Sequence, residues 1–417
     1  MRARIHRGAT EVGGSCVELE AATGERLVLD LGLPLWAQPD EEVPLPSVSG
    51  LRDGNDSSLL GVLLSHAHPD HYGLIGSISA DVPIYMGAAT SRILKEASFF
   101  TPMGLDCELA GTLADRQSLQ LGSFTVTPFL VDHSAFDAYA LLVEANDRRL
   151  FYSGDLRAHG RKAGTFNRLV NRPPEGVNTL VLEGTTVGRK PDGASAPKDE
   201  KGVEERCVKL FRDTAGMALV CYSPQNIDRL VSVFRAAVRS GRDLVLDLYG
   251  AAVVAATGRD SIPQADWERI RVYVPQSQRV RVKEAKEFWR VNDLGASRIY
   301  TEELSHDPSR WVMSFRSSMT WELERAGCLQ GAWALWSMWP GYLDGKLGEQ
   351  TRQDLEDLGI GLTVVHASGH ASVKDLQRFA AAINANKVVP IHTDAPRRFT
   401  SIFKHVEAHP NGEWWEI

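Results

Sequence analysis

The sequence predicts an α/β protein in which one α/β unit is inserted into a strand-rich first domain. Three observations predict it. Residues 1–188 alternate short apolar runs with polar loops, the pattern of strands rather than of long helices. Beyond about residue 201 the texture changes to alternating helix and strand signals. Near the C-terminus the apolar runs again end on histidine, as they do early in the chain.

Taken in order, Arg4-Ile5-His6 leads through a Gly-rich loop to the strand-like Cys16-Val17-Glu18-Leu19. A turn at Thr23-Gly24 returns the chain through Arg26 to Asp30, which reads as a hairpin at a sheet edge. Leu59 to Leu64 is a short continuous apolar run ending at a polar cluster, so a buried strand suits it better than a helix. Phe124 to Val131 is a strand ending at Asp132-His133. Tyr139 to Glu144 and Arg149 to Ser153 form a hairpin around Ala145-Asn146-Asp147, ending at Gly154-Asp155. Leu180-Val181-Leu182 ends at Glu183. The stretch Gly188 to Lys201 is rich in Pro, Gly, Ser and Lys and marks a boundary. Ile227, Leu230, Val231, Phe234 and Val238 then follow helical spacing, and Leu244 to Leu246 and Val272 to Val274 read as strands. Leu362 to Val365 is a strand delivering His366, followed by a helix with Ser372 as N-cap and Asp375 three residues on. Val388 to Ile391 is a last strand ending at His392. The expected division is 1–188, 189–357 and 358–417, the third segment returning to the first domain.

Composition sets bounds on function. The 417 residues are 43% hydrophobic and 24% charged, ordinary values for a globular protein. No stretch approaches the roughly 18 apolar residues of a membrane span, and the N-terminus lacks the apolar core of a signal peptide. The five cysteines are scattered, with no C-x-x-C pair, which fits buried thiols in a reducing cytoplasm and argues against a zinc finger. A formal net charge of -7 excludes a whole-protein basic footprint for nucleic acid, but not a local track.

The chemistry is carried by His66-Ala67-His68-Pro69-Asp70-His71, four metal-binding side chains in six residues. His66 and His68 lie two apart on an extended segment and point the same way, while Asp70 and His71 follow as the chain turns into a helix and point to a second position. Divalent metals of the zinc type take imidazole nitrogens and carboxylate oxygens. A lone His133, His392 or Asp155 would read as structural, but each sits at a strand end like the cluster.

These residues resemble the successive motifs of the metallo-β-lactamase superfamily: the hexad, then Asp132-His133, then Ser153-Gly154-Asp155. Val181 to Thr186, His366 to Ala371 and Pro390 to Thr393 resemble the three further motifs of its β-CASP subgroup, and the Ser368-Gly369-His370 wording is similar to ribonuclease J-type RNA-processing nucleases. The resemblance implies an αββα sandwich with an inserted α/β β-CASP domain. It implies two divalent metal ions, zinc first and manganese as the alternative. His66, His68 and His133 would hold one, Asp70, His71 and His392 the other, with Asp155 between them. It implies a metal-activated hydroxide attacking an RNA phosphodiester, exo- or endonucleolytically, with His370 as general acid or phosphate ligand and Glu183 orienting it; Asp70, Glu183 and His370 are the catalytic set. Such enzymes continue into a further C-terminal domain, whereas this chain ends 25 residues after His392, which leaves exonuclease behaviour and a homodimer open. The rival readings are a DNA nuclease or small phosphodiester or ester hydrolase of the same fold, and a non-catalytic RNA-binding subunit.

For the substrate phosphate the candidates are Ser368, Gly369 and Ser372 at a helix start, and Arg316 with Ser317 after a strand. The basic stretch Arg269 to Arg290 reads as a solvated helix face before an RNA track. Trp333, Trp336 and Trp339 read as core before base-stacking surface.

Overall fold

The computed structural model describes residues 1–37, 42–189 and 196–417. The chain forms two compact units, one comprising Met1–Ser98, Met103–Pro191 and Gly369–Ile417, the other Phe99–Pro102 and Asp192–Ser368. The polar stretch expected to hold the first boundary falls largely on 190–195, outside the described residues.

The first unit is built on two sheets. One has seven strands in the order Trp414–Glu416, Arg2–Arg7, Cys16–Glu20, Arg26–Leu29, Leu59–Leu63, Ile84–Gly87, Gly111–Leu113. The other has six, in the order Lys387–Ile391, Thr179–Glu183, Arg148–Tyr152, Tyr139–Ala145, Phe124–Leu130, Leu119–Leu121. Alternation along each strand decides which side chains face which layer. Leu27, Leu29 and Leu63 meet Val126, Leu141, Leu150, Val181 and Val389 in a core between the sheets. The alternate residues point outward. Val28 and Val62 pack with Leu94 of the helix Ala88–Phe100. Leu142, Phe151 and Leu180 pack with Phe166 and Phe379 of the helices Ala163–Asn171 and Val373–Ile383. Each such fully buried side chain stabilises the unit by about 1.5–3 kcal/mol. The result is a helix–sheet–sheet–helix sandwich, as the sequence predicts.

Two expectations are corrected. The hairpin Cys16–Glu20 and Arg26–Leu29 is not at an edge: Arg26–Leu29 pairs in parallel with Leu59–Leu63, and Arg2–Arg7 is itself flanked by Trp414–Glu416. Edge and interior strands of this length carry the same apolar signal, so the sequence does not separate them. The segment 358–417 does not return whole to the first domain. Its strand Gly361–Val364 pairs in parallel with Trp333–Trp336, so the chain crosses back only at Gly369.

The second unit has a seven-stranded sheet in the order Arg298–Ile299, Ile270–Tyr273, Asp243–Asp247, Trp311–Ser314, Ala218–Cys221, Trp333–Trp336, Gly361–Val364. Every pairing in it is parallel. Parallel strands are covered on both faces and read as continuous apolar runs, which is why Leu244 to Leu246 and Leu219-Val220 lack alternation. Helices connect the strands. In Ile227–Arg239 the buried stripe runs through Ile227, Leu230, Val233 and Ala236–Ala237, while Val238, expected on that face, is 37% exposed. Trp336 is buried as expected, but Trp333 and Trp339 are 43% and 51% exposed.

Candidate metal centre

Five strands of the first unit deliver side chains at their C-terminal ends. Leu59–Leu63 leads to His66, Phe124–Leu130 to His133, Arg148–Tyr152 to Asp155 and Lys387–Ile391 to His392, while Thr179–Glu183 ends on Glu183. The hexad is shaped by Pro69. His68 is the extended N-cap (φ -103°, ψ 140°) of the short helix Pro69–Tyr72, with proline where its missing N–H costs nothing. His66 and His68 thus lie on extended chain, and Asp70 and His71 on one helical turn. Backbone bonds clamp this turn: Ser15 N to Asp70 O (3.1 Å), Leu31 N to His71 O (2.8 Å) and Leu33 N to Pro69 O (2.9 Å). Gly32 makes that approach feasible, because a Cβ there would stand 1.7 Å from Asp70 O.

Three clusters result. His66 Nε2 and His133 Nε2 lie 3.2 and 3.1 Å from His68 Nδ1. His71 Nε2 lies 3.2 Å from Asp155 Oδ2, and His392 Nε2 lies 3.1 Å from Asp70 Oδ2. Asp155 also stands 3.8 Å from His66 Nε2, which joins the first two clusters. His370 Nδ1 is 3.6 Å from Glu183 Oε1 and 3.7 Å from Asp155 Oδ2, forming the third. The donor atoms within each cluster lie within 4.8 Å of one another.

A second layer orients these groups. Asp30 accepts from Ser65 N, Ser65 Oγ and Tyr152 Oη, each at 2.7 Å, and meets His71 Nδ1 at 2.7 Å. Ser65 Oγ also meets His66 Nδ1 at 3.0 Å. Thr185 Oγ1 lies 2.8 Å from His392 Nδ1, and Thr185 N donates to Glu183 Oε2 at 2.9 Å. His392 takes a left-handed backbone (φ 54°) and donates its N–H to Gly8 O at 2.7 Å. Such a conformation persists in a non-glycine residue only where its surroundings fix it.

The donor set fits divalent metals. Nitrogens bound tetrahedrally at about 2.0–2.1 Å stand roughly 3.3 Å apart, close to the spacing of His66, His68 and His133. Asp155 is 2% exposed, and imidazoles are the groups that face its oxygens, His71 at 3.2 Å and His66, His370 and His392 at 3.7–3.8 Å. A buried carboxylate ringed by imidazole nitrogens is a donor set that a divalent cation would complete.

Electrostatics divides the clusters. Burial pushes His66 and His133 well below the ordinary imidazole value, each reinforced by neighbouring imidazoles. Burial likewise takes His68 to about 4. These three are neutral, as metal ligands must be. For His71 burial pulls downward, but Asp155, Asp30 and Asp70 hold it well above 6.5. For Asp70 and Asp155 burial pulls upward, but the imidazoles of His71 and His392 keep both carboxyls below their usual range. His370 is also raised, with Asp155 and Glu183 overcoming burial.

The structure therefore brings together His66, His68, Asp70, His71, His133, Asp155, Glu183, His370 and His392. Of the expected phosphate contacts, Gly369 lies beside the centre, where an added Cβ would stand 3.8 Å from His133 Cε1. Ser372 is engaged as a helix cap, accepting from Asp375 N (3.2 Å) and donating to its carboxylate (2.7 Å). Gly369 sits against Ser134, whose Oγ would stand 3.0 Å from an added Cβ. Ser368, Arg316 and Ser317 belong to the second unit, where Arg316 is paired with Asp247 at 2.8 Å. Much of the basic stretch is tied up as well, Arg269 with Asp243 (2.7 Å), Arg279 with Glu322 (3.2 Å) and Arg290 with Glu287 (2.5 Å). Asp132 points away from the clusters, to Arg157 Nε (3.3 Å) and Gly160 N (2.7 Å). Sequence reasoning missed the orienting roles of Asp30, Ser65 and Thr185. The available signal for Asp30 is its place at a strand end.

Residues 33–220 match the family described as beta-lactamase superfamily domain. The chain is 25% identical over 214 residues to ribonuclease J of Sinorhizobium meliloti, covering 50% of this chain and 37% of that protein. It is 26% identical over 250 residues to ribonuclease J of Mycobacterium tuberculosis, covering 56% of this chain and 42% of that protein. The matched region thus spans about two fifths of these relatives. A crystal structure of a protein of unknown function from Enterococcus faecalis V583 shares the fold along 99% of both chains, with a TM-score of 0.79 and 22% identity. The chain is thus similar over residues 33–220, a little under half its length, to the beta-lactamase superfamily domain, and over about half its length to proteins named ribonuclease J.

Proposed function

We propose that this chain is a metal-dependent ribonuclease that hydrolyses RNA phosphodiester bonds. The observation that carries the reading is Asp155, a buried carboxylate set between a three-histidine cluster, a second His/Asp cluster and the His370–Glu183 pair. His66, His68 and His133 would hold one divalent ion and Asp70, His71 and His392 the other, with Asp155 available to either. Such ions supply an activated water and neutralise charge on the attacked phosphate. Zinc is the first candidate and manganese the second, since both accept mixed imidazole and carboxylate ligands.

The protein's own groups do the rest. Asp30 and Thr185 fix the ring orientation of His71 and His392 by engaging their far nitrogens. His370, whose protonated form Asp155 and Glu183 favour against burial, would donate to the leaving oxygen, and Glu183 would keep the ring aimed. Relatives bearing the name ribonuclease J support RNA as the substrate. The five free cysteines fit a reducing cytoplasm. Among the described residues no helix is long and apolar enough to cross a membrane.

The test is incubation with 5′-labelled RNA and the matching DNA, with and without chelator. Chelator-sensitive cutting of RNA, lost in Asp70→Asn, is expected, and the ladder of products separates cutting from an end from cutting inside. Cutting of DNA alone, or RNA cutting that survives Asp70→Asn, would overturn the reading.

A further inference from the structure

The second unit contains a cavity of about 460 Å³ that has no part in the metal centre. It opens where the parallel strands Ile270–Tyr273 and Arg298–Ile299 end, and Tyr273 and Tyr300 stand on its wall. In open parallel sheets, ligands bind outside the carboxyl ends of the strands. The volume lies within the range of small-molecule sites, which is about 300–1,000 Å³.

Its lining is unusual in charge and shape. Two large aromatic side chains on it face solvent, Tyr300 at 49% exposure and Trp321 at 59%. Each has a guanidinium stacked on its ring: Arg298 lies 4.6 Å from the centroid of Tyr300, and Arg325 lies 5.4 Å from that of Trp321. Neither arginine has a carboxylate within 4.0 Å among the described residues, and Arg298 Nε is buried without a hydrogen-bond partner. Two carboxylates also line the cavity, but both are engaged elsewhere: Glu322 accepts from Gln276 N (3.1 Å) and pairs with Arg279 (3.2 Å), and Glu302 accepts from Thr301 Oγ1 (3.3 Å). Tyr273, on the wall, is 2% exposed, with Glu322 and Arg279 beside its hydroxyl.

From this arrangement we infer that the cavity is a nucleotide-binding subsite, taking one nucleoside monophosphate unit. The base stacks on Trp321 or Tyr300, and the phosphate is held by Arg298 and Arg325. Stacking on an aromatic face beside arginine tolerates every base, so the subsite reads the presence of a nucleotide rather than its identity. The shared chemistry covers a free mononucleotide and one unit of a single-stranded RNA. This inference extends the proposed ribonuclease reading but does not depend on cleavage.

The test uses the full chain stripped of metal by chelator, so that the metal centre contributes no cation to phosphate. Adenosine 5′-monophosphate is titrated by calorimetry, with adenosine and inorganic phosphate as separate probes. The expected result is binding of the monophosphate at least tenfold tighter than either part alone, weakened at least tenfold in Arg298→Gln/Arg325→Gln and also in Trp321→Ala. Circular dichroism checks that the variants fold. A second arm measures anisotropy of a labelled 12-nucleotide oligouridylate against the same proteins. Weakening in both arms marks a strand subsite, and weakening of the mononucleotide alone marks a free-nucleotide pocket. Equal binding of the monophosphate by parent and double variant, or no binding at all, overturns the inference. A protein that binds the monophosphate here yet cuts no RNA would instead count against the ribonuclease reading.

Discussion

Asp30 Oδ2 lies 2.7 Å from His71 Nδ1, so a carboxylate outside the metal-facing set fixes the ring whose other nitrogen faces Asp155. Asp30→Asn keeps the shape and removes the charge. Metal affinity at the Asp70–His71–Asp155–His392 cluster should fall about 10–100-fold. Equilibrium dialysis against buffered zinc measures it. Unchanged occupancy at every free zinc level would contradict the role.

Metal binding at the two clusters should differ in pH dependence. His66, His68 and His133 are neutral in the folded chain, with His68 at about 4, so that cluster displaces no proton at neutral pH. His71 is raised, so a metal at the second cluster must displace its proton. Affinity there should rise about tenfold per pH unit up to the His71 value, while the first cluster stays level from pH 6 to 8. Competition titrations with a chromogenic chelator resolve the two, and equal slopes would refute the distinction.

The metal-free protein should lose stability as pH falls from about 6.5 toward 4. The sign follows from His66, His68 and His133, whose folded values lie below 6.5. Over that window the unfolded chain takes up protons that the folded chain refuses. His71, raised, contributes stability that is fully present below 6.5, so it does not vary there. His68 alone amounts to roughly 3 kcal/mol across the window. Urea unfolding at stepped pH, with chelator, reads the slope. Zinc should flatten it, and a metal-free protein of constant stability would exclude this linkage.

His370→Asn should separate chemistry from metal binding. The imidazole is in ion-pair range of Glu183 and Asp155 but outside both tight ligand clusters. The cleavage rate should fall about 10²-fold or more with two metals retained. Metal analysis beside single-turnover rates decides it, since loss of a metal would make His370 a ligand instead.

In the second unit, fully buried Arg229 pairs with Glu200 (3.1 Å) and donates to Ser337 Oγ (2.7 Å) and to Ala367 O (3.3 Å). Arg229→Ala strands a buried carboxylate and should cost about 3–5 kcal/mol. Adding Glu200→Gln to that variant should recover part of the loss. Denaturant melts compare the three proteins, and full additivity of the two changes would rule out the coupling.

The metal-facing residues were legible because histidine and carboxylate at successive strand ends are dense against a background of 12 histidines. Pattern alone also gave the strands that deliver them. Asp30 was not legible as a functional group, since one carboxylate after a strand reads equally as a turn residue, and only the register of Arg26–Leu29 beside Leu59–Leu63 brings it to His71. Gly361–Val364 was assigned to the wrong unit because a four-residue apolar run carries no mark of its sheet. Arg316 was offered to a phosphate because nothing in its surroundings announces Asp247, 69 residues away. Trp333 and Trp339 were expected in the core because large aromatics usually are buried, yet both are substantially exposed.

Asp70 and His392 touch across 322 residues of chain, with the whole inserted unit synthesised between them. At roughly 5–20 residues per second, about 15 to 65 seconds separate their emergence from a translating ribosome. A nascent chain halted after Glu183 would carry the three-histidine cluster and Asp155 but only part of the second. The second cluster would thus be completed last, and the growing polypeptide would spend most of its synthesis without it.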